Sequence, residues 1–376
     1  MTREPPSMGM GGRTEGPILL PRADRGCLLV EGRAPMRMLQ GLLTGFAPPE
    51  FLPLEGGWLR GRAHPTLLLD PKGKILLELR IHRVGEGEEG ALLLDLPRSV
   101  IPEAMERFQK LLPPRFARVR PSDLQVMTLV AQRALPPLEA HPELVNAPMA
   151  PMAELLAGLP GLSSVTELLP TLGRDEELLR VEEGAIQLHL VRSGELSHPS
   201  IQLIGEAPIL EALRSLWSQA GAPIGNAALL DRLRIEQGHP AFGSEIDEST
   251  LPPEAGLDQG WIDHRKGCYL GQEVIVRIRD RGRVNRHLRG FLLGELPPPP
   301  QGTPLFLPGG GNQVGELRSS TTSPILGGTI ALGYLRREID PPATLSLGSP
   351  DGPRIAARLL TPEGWVLVEG DPLGHL

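Results

Sequence analysis

Cysteine is nearly absent from this 376-residue chain, which holds only Cys27 and Cys268. Two thiols cannot build a disulfide framework, nor a cluster or zinc site that needs three or four thiolates of one chain. Aromatic residues are also sparse: seven Phe, four Trp and two Tyr. A protein that stacks bases in a row wants more of them. No run approaches the roughly 18 consecutive apolar residues of a membrane helix. Positive charge is not in excess, because 38 Lys and Arg face 45 Asp and Glu for a net −7. That excludes a globally basic nucleic-acid binder. Lysine is confined to Lys72, Lys74, Lys110 and Lys266. Neither a G-x-G-x-x-G nor a Walker A pattern occurs, so Rossmann and P-loop readings have no support.

What is present is glycine (45) and proline (41) without a period, among ample amphipathic Leu, Ile and Val. The composition describes a loop-rich globular protein of two to three domains. Residues 1–17 lack the apolar run of a secretory signal and read as a disordered tail; with so few thiols, the expected compartment is a reducing cytoplasm. Residues 17–33 read as short strands and Pro35–Leu43 as a helix with Met36, Leu39, Leu42 and Leu43 on one face. Thr66–Asp70 and Ile75–His82 form a hairpin around Pro71-Lys72-Gly73-Lys74. Ser99–Leu112 reads as a helix with Ser99 as its N-cap. Helices follow over Pro208–Ala220 and Ala227–Gln237, the latter capped by Asn226 and stopped by Gly238. After the prolines of 297–300, six short strands separated by turn residues predict a small antiparallel barrel. The fold class expected is α+β: two α/β lobes with antiparallel or mixed sheets plus a C-terminal antiparallel β-barrel. The lobes are expected at 18–120 and 121–290, with a Pro-rich insertion at 134–170, and the barrel at 291–376.

The densest signal lies between Arg232 and Gly290. Lys266-Gly-Cys268-Tyr269-Leu-Gly271-Gln272-Glu273 has glycines on both sides of a thiol, so the backbone can turn sharply and approach a ligand closely. Gln272 and Glu273 open a helix. A thiol just ahead of a helix N-terminus, beside Arg265 and Lys266, is placed to ionise readily. It could serve as a nucleophile, a redox partner or a ligand to a metal shared with another molecule; the plain alternative is a small buried hydrophobe. Arg277, Arg279, Arg281, Arg283, Arg286 and Arg289 form a second feature, opposed only by Asp280. They suit phosphates or several carboxylates, or else a solvated face. Arg232 and Glu236 stand at i, i+4, which a surface ion pair explains.

These residues resemble a family. Lys266–Glu273 matches the K-G-C-[YF]-x-G-Q-E signature of the folate-binding YgfZ-type proteins, relatives of a mitochondrial-type iron–sulfur cluster assembly transferase-like factor. Arg234-Ile-Glu236-x-Gly-x-Pro-x-x-Gly, Leu251-Pro-Pro-Glu-Ala-Gly-Leu and Arg281-Gly-x-x-Asn285-Arg286 resemble further family motifs. So do Leu39-Gln-Gly-x-Leu-Thr44 and the Asp70-Pro-Lys-Gly-Lys hairpin. The wider superfamily includes the aminomethyltransferase of glycine cleavage, the T-protein. The resemblance implies tetrahydrofolate, or a one-carbon derivative of it, in a central channel between the lobes and the barrel. Two departures separate the chain from T-proteins. Their acidic pair G-[GI]-x-x-D-D is replaced by Gly73-Lys-Ile-Leu-Leu77-Glu78, with Glu78 a loose stand-in, and they lack a cysteine at position 268.

Carried over residue by residue, the resemblance makes Cys268 and Lys266 the reactive pair, in a signature site shared with Gln272 and Glu273. Arg234 and Glu236 become candidates for the folate channel, and Tyr269 for packing against the pterin, alongside Phe242 and Trp261. Ser193-Gly-Glu195 faintly resembles the T-protein stretch whose glutamate holds the pterin, although a surface loop is the plainer reading of Glu195. Arg281 and Arg283 would meet a polyglutamyl tail. The function implied is assembly or repair of iron–sulfur client proteins, reaching tRNA modification through cluster enzymes. The alternative is an aminomethyl- or methyl-transferring enzyme. Direct tRNA binding by the arginine run is the third, less favoured reading; no resident metal and no membrane partner are expected. A cavity between the three domains with Cys268 at its rim is the arrangement that would support this picture.

Overall fold

The computed structural model describes residues 17–131, 149–158, 162, 164–173, 175–183, 186–362, 364–368 and 371. Of the expected tail at 1–17 all but the last residue, and of the Pro-rich stretch at 134–170 residues 134–148, 159–161 and 163, lie outside the described residues.

The described residues form three antiparallel sheets. A five-stranded sheet runs in the order His64–Leu69, Ile75–Arg83, Leu92–Pro97, Arg25–Glu31, Arg118–Ser122. A seven-stranded sheet begins at Ile18–Pro21, passes through Gln125–Val130, Ser200–Gly205, Ile186–Ser193 and Glu177–Glu183, and ends at Trp58–Arg62 and Leu52–Pro53. The expected lobes at 18–120 and 121–290 are therefore not spatial units. Three strands from the first stretch cross into the second sheet.

The strand Arg25–Glu31 shows why. Cys27, Leu28, Leu29 and Val30 are consecutive and all buried, so both of its faces must be covered. Leu28 and Val30 pack toward Ala104 and Phe108 of the helix Ile101–Leu111. Cys27 and Leu29 face Val126 and Ile204 of the other sheet. Ser99 is not the cap of that helix: it lies inside a preceding turn, Arg98–Val100, and Val100 takes the cap position without a side-chain bond.

The third sheet closes on itself. Arg286–Gly294 pairs with Gly328–Arg336 on one side and Arg354–Thr361 on the other, through Gln313–Ser323, Pro304–Phe306 and Ala343–Leu347. Closure removes the exposed edges of the sheet. The barrel starts at Arg286, ahead of the boundary expected at 291, because the apolar alternation of Leu288, Gly290 and Leu292 already belongs to its wall.

The helix Ala227–Gln237 joins the parts. Asn226 Oδ1 accepts from Leu229 N at 3.0 Å, and Gly238 ends the helix at φ 80°. Four consecutive residues, Leu233–Glu236, are buried, so the last turn of the helix is enclosed on all sides, while its first turn stays exposed. Leu233 packs with Leu20 and Val130 of the seven-stranded sheet; Ile235 packs into the barrel against Leu288 and Leu332. Among the described residues, no helix is long and apolar enough to cross a membrane.

Candidate functional site

Motifs far apart in sequence converge on one face. Lys266 Nζ donates to the carbonyls of Leu43 and Gly45, at 2.6 and 3.0 Å. Thr44 Oγ1 donates to the Trp261 carbonyl at 2.7 Å, and its own carbonyl accepts from Asp263 N at 2.8 Å. Gly271 caps the helix Gln272–Arg281 at φ 80°, where a Cβ would stand 2.5 Å from the carbonyl of Asp70 at the hairpin tip. A side chain there would clash with backbone, so glycine is required. The segments 39–45, 70–74 and 266–273 are thus a single packed unit.

Within it Cys268 is exposed, on a pocket of about 410 Å³ that it shares with Gln40, Gly45, Phe46 and Lys266. Lys266 is half-buried. Burial lowers its ammonium to about 8 against the opposing pull of Asp263. Its two carbonyl partners make it a clamp between segments as well as a candidate for chemistry. Tyr269 lines none of the cavities described here: its ring is buried with Leu67, Leu69 and Ile275. Gln272 is half-buried and Glu273 exposed in the first turn of the helix, neither facing the cavities described below.

The central region is separate from that pocket. Two cavities of about 820 and 340 Å³ meet at Glu195, His239 and Pro240, which line both. Glu195 is 5% exposed, so it does not lie in the surface loop expected. It sits between Arg80 and Arg22, bonding Arg80 through Oε1 and Arg22 through Oε2, the latter at 3.0 Å. Burial alone would raise this carboxyl. Arg80, Arg22 and Arg25 outweigh it and hold Glu195 well below the usual carboxylate range. Glu78 lines the larger cavity with the opposite outcome: burial dominates over Arg25 and Arg80 and raises it. Glu176, on the smaller cavity, is raised for the same reason. His239 is lowered to about 4 by burial and stands neutral at the junction. Arg25 reaches Asp95 Oδ1 at 2.9 Å, and Asp95 accepts from Gln202 of the facing sheet at 3.1 Å. The whole cluster is therefore braced from both sheets.

Two of the aromatic candidates lie on these cavities. Trp261 lines the smaller one, with the Arg80 guanidinium 5.8 Å from its ring centroid, and Phe242 lines the larger one. Arg234 also lines the larger cavity, held by Asp231 and by Glu245 Oε2 at 3.0 Å. Glu236 does not line it. It is buried beside the barrel, accepting from Ser323 Oγ at 2.7 Å and Ser197 Oγ at 3.2 Å, so the surface ion pair with Arg232 is a 3.9 Å contact to a buried group. Burial raises Glu236, which suits a joint between helix and barrel. Arg286 likewise reaches Glu254 Oε2 at 3.3 Å, tying two motifs together structurally.

The cavity expected to have Cys268 at its rim does not. The two sites share no lining residue. A thin wall divides them: Gly45, on the thiol's pocket, lies against Pro65, which lines the central cavity. Sequence reasoning passed over Arg22, Arg25, Arg80 and His239. The signal available was the set of charged residues inside otherwise apolar strands, at Arg25, Glu78 and Arg80. Among the described residues no group of three or more His, Cys, Asp or Glu is arranged to hold a metal ion.

Comparison with known proteins agrees with this architecture. Residues 286–363 match the family model of the glycine cleavage T-protein C-terminal barrel domain. Aminomethyltransferases of Halothermothrix orenii and Rubrobacter xylanophilus are 33% and 36% identical over 129 residues, 34% of this chain in each case. The match spans about a third of those relatives' own length, 35% and 34%. The crystal structure of the glycine cleavage system aminomethyltransferase T from Bartonella henselae superposes with a TM-score of 0.73, covering 94% of this chain and 88% of that one at 18% identity. The chain therefore has the aminomethyltransferase fold, and its residues 286–363 are a barrel domain of the glycine cleavage T-protein kind.

Proposed function

We propose that the chain binds a reduced folate, tetrahydrofolate or a one-carbon derivative, in the central cavities and acts in one-carbon transfer of the aminomethyltransferase type. The observation that carries this is Glu195, a buried and ionised carboxylate at the junction of two cavities. The residues fit the ligand. A carboxylate offers about four lone-pair directions, and the two arginines occupy two of them. The others can accept the paired N–H groups of a 2-aminopyrimidinone ring. Trp261 or Phe242 supplies a flat apolar face, and cavities of this size suit a ligand of that class. A bound reduced folate supplies nitrogens that carry a one-carbon unit. Glu195 would orient the ring. Glu78 would hold or release a proton on the same cavity, because its environment pushes it the opposite way from Glu195. That answers the missing aspartate pair with a glutamate on the same hairpin. The relatives' names, aminomethyltransferase, favour this reading over cluster assembly.

The test is calorimetric titration with 5-formyltetrahydrofolate, followed by an assay for folate-dependent release of an aminomethyl group's nitrogen. Wild type should bind, and Trp261→Leu and Glu195→Gln should each weaken binding by roughly tenfold or more. Unchanged affinity in both variants would remove the site from the central cavity.

A second reading rests on Cys268, which is exposed beside Lys266 on a pocket of its own. In it the thiol acts on iron–sulfur client proteins, and any effect on tRNA modification is indirect. Restoration of cluster-enzyme activities by Cys268→Ala as fully as by wild type, in a deletion strain, would end this reading and leave the folate site untouched.

A further inference from the structure

Among the described residues Glu176 alone, glycines apart, has a left-handed backbone, with φ 67°. Residues with a side chain seldom adopt that conformation, and such outliers cluster at functional sites. Backbone bonds on both sides impose it: Glu176 N donates to the Arg192 carbonyl at 2.8 Å, and its own carbonyl accepts from Ala63 N at 2.8 Å. The residue is thereby carried onto the smaller central cavity. Its Oε1 accepts from Arg80 Nε at 3.2 Å, while Oε2 is buried and has no hydrogen-bond partner. Arg80 also binds Glu195, so one guanidinium joins two carboxyl groups on the same cavity. Glu195 has Arg22 as well, whereas among the described residues Glu176 pairs with Arg80 alone. Burial raises the Glu176 carboxyl against the pull of Arg80, and the charges of Glu195 and Asp175 raise it further. Arg192 is turned to Asp175, at 3.5 Å. The rest of the cavity lining carries Glu254, Asp258 and Arg289, with His239 and His287 lowered by burial. Arg281 and Arg283 line neither central cavity and stand outside this balance.

We propose that Glu176 is a specificity-determining contact of the central site: a neutral carboxyl whose Oε2–H donates to an oxo oxygen of the bound ring, beside the N–H edge that Glu195 accepts. The inference rests on the folate reading above and deepens it. A 2-amino-4-oxopyrimidine edge presents N–H donors followed by an oxo acceptor. Ionised Glu195 supplies the acceptors, and a protonated carboxyl next to it supplies the donor that completes the pattern. Two carboxyl groups pushed to opposite states by their surroundings divide roles in this way. Bracing Arg80 is the plainer use of Glu176, but it engages Oε1 only. It leaves a buried polar atom without a partner, which folded proteins rarely tolerate unless a ligand completes the site.

The test is calorimetric titration of the full chain with 5-formyltetrahydrofolate from about pH 5 to about pH 9, on wild type, Glu176→Gln and Glu176→Leu. An amide in place of the carboxyl can accept from Arg80 and donate to the ligand at every pH. Wild type should lose affinity as pH rises, by up to about tenfold per unit once Glu176 ionises. Glu176→Gln should hold its affinity across the range. Glu176→Leu should bind roughly tenfold or more weakly at the acid end. Identical pH profiles for wild type and Glu176→Gln overturn the proposal, and so does full affinity in Glu176→Leu. The Gln comparison decides alone if Glu176→Leu does not fold. Either overturning result, together with weakened binding by Trp261→Leu, leaves the central folate site standing. Failure of wild type to bind at any pH would instead bring down the folate reading itself, and this proposal with it.

Discussion

Glu195 and Cys268 sit at opposite extremes of exposure, and each owes its character to its surroundings. Glu195 is enclosed by two guanidiniums, with its cluster tied to Asp95 and Gln202 on facing strands. It is reached only from the two cavities that it lines. Cys268 is displayed on a loop between glycines, and the surrounding motif residues spend their hydrogen bonds holding that loop in place. The comparison teaches that a dense sequence signature can mark a scaffold for one displayed atom, while a buried, charged cavity lining can be assembled from residues scattered through apolar strands.

The largest break in this contrast should come from Glu195→Ala. It leaves Arg22 and Arg80 buried without their shared acceptor, and losing one partner of a buried ion pair costs about 3–5 kcal/mol. Chemical denaturation at neutral pH measures it. A cost under about 1 kcal/mol would mean that the centre is not the braced network described. The same group sets a pH dependence. Its folded carboxyl is depressed from an ordinary value of 4.5, so its contribution to stability is present above that pH and lost as pH falls toward the folded value. Wild type should therefore lose stability in acid more steeply than Glu195→Ala; parallel curves would contradict the sign.

A smaller effect separates Lys266 from an ordinary surface lysine. With its ammonium lowered to about 8 by burial, acylation at this position should reach half its maximal rate near pH 8, read by peptide mass spectrometry. A half-point above pH 10 would show that the two carbonyls keep it charged. The smallest effect on stability is expected at the displayed thiol. Cys268→Ala should shift unfolding by no more than about 0.5 kcal/mol, as exposed positions do. A thiol reagent should titrate Cys268 alone in the native chain and Cys27 only after denaturation, because Cys27 is buried between the sheets. Rapid native labelling of Cys27 would contradict that packing.

Local rules carried the elements well where caps and turns decide them. The helix Ala227–Gln237 lies between its asparagine cap and its glycine stop, and the hairpin around Gly73 turns at the tight position. The barrel was legible from its short strands and turn residues, and its first strand was hidden only because arginines begin it. Sequence also singled out Cys268 as the thiol with a glycine and lysine context, and the fold exposes it. Periodicity could not supply the exchange of strands between sheets, since pairing of Ile18–Pro21 with Gln125–Val130 is a long-range choice. Nor could it reveal that Arg234 and Glu236, two residues apart on one helix, face different neighbours: one lines a cavity and the other the barrel joint. Above all, only the tertiary structure decided that Glu195 is buried between Arg22 and Arg80. Residue type and spacing determine which groups can carry charge or reactivity. Their ionisation and access depend on partners brought from distant parts of the chain, and burial magnifies those interactions beyond anything a local pattern records.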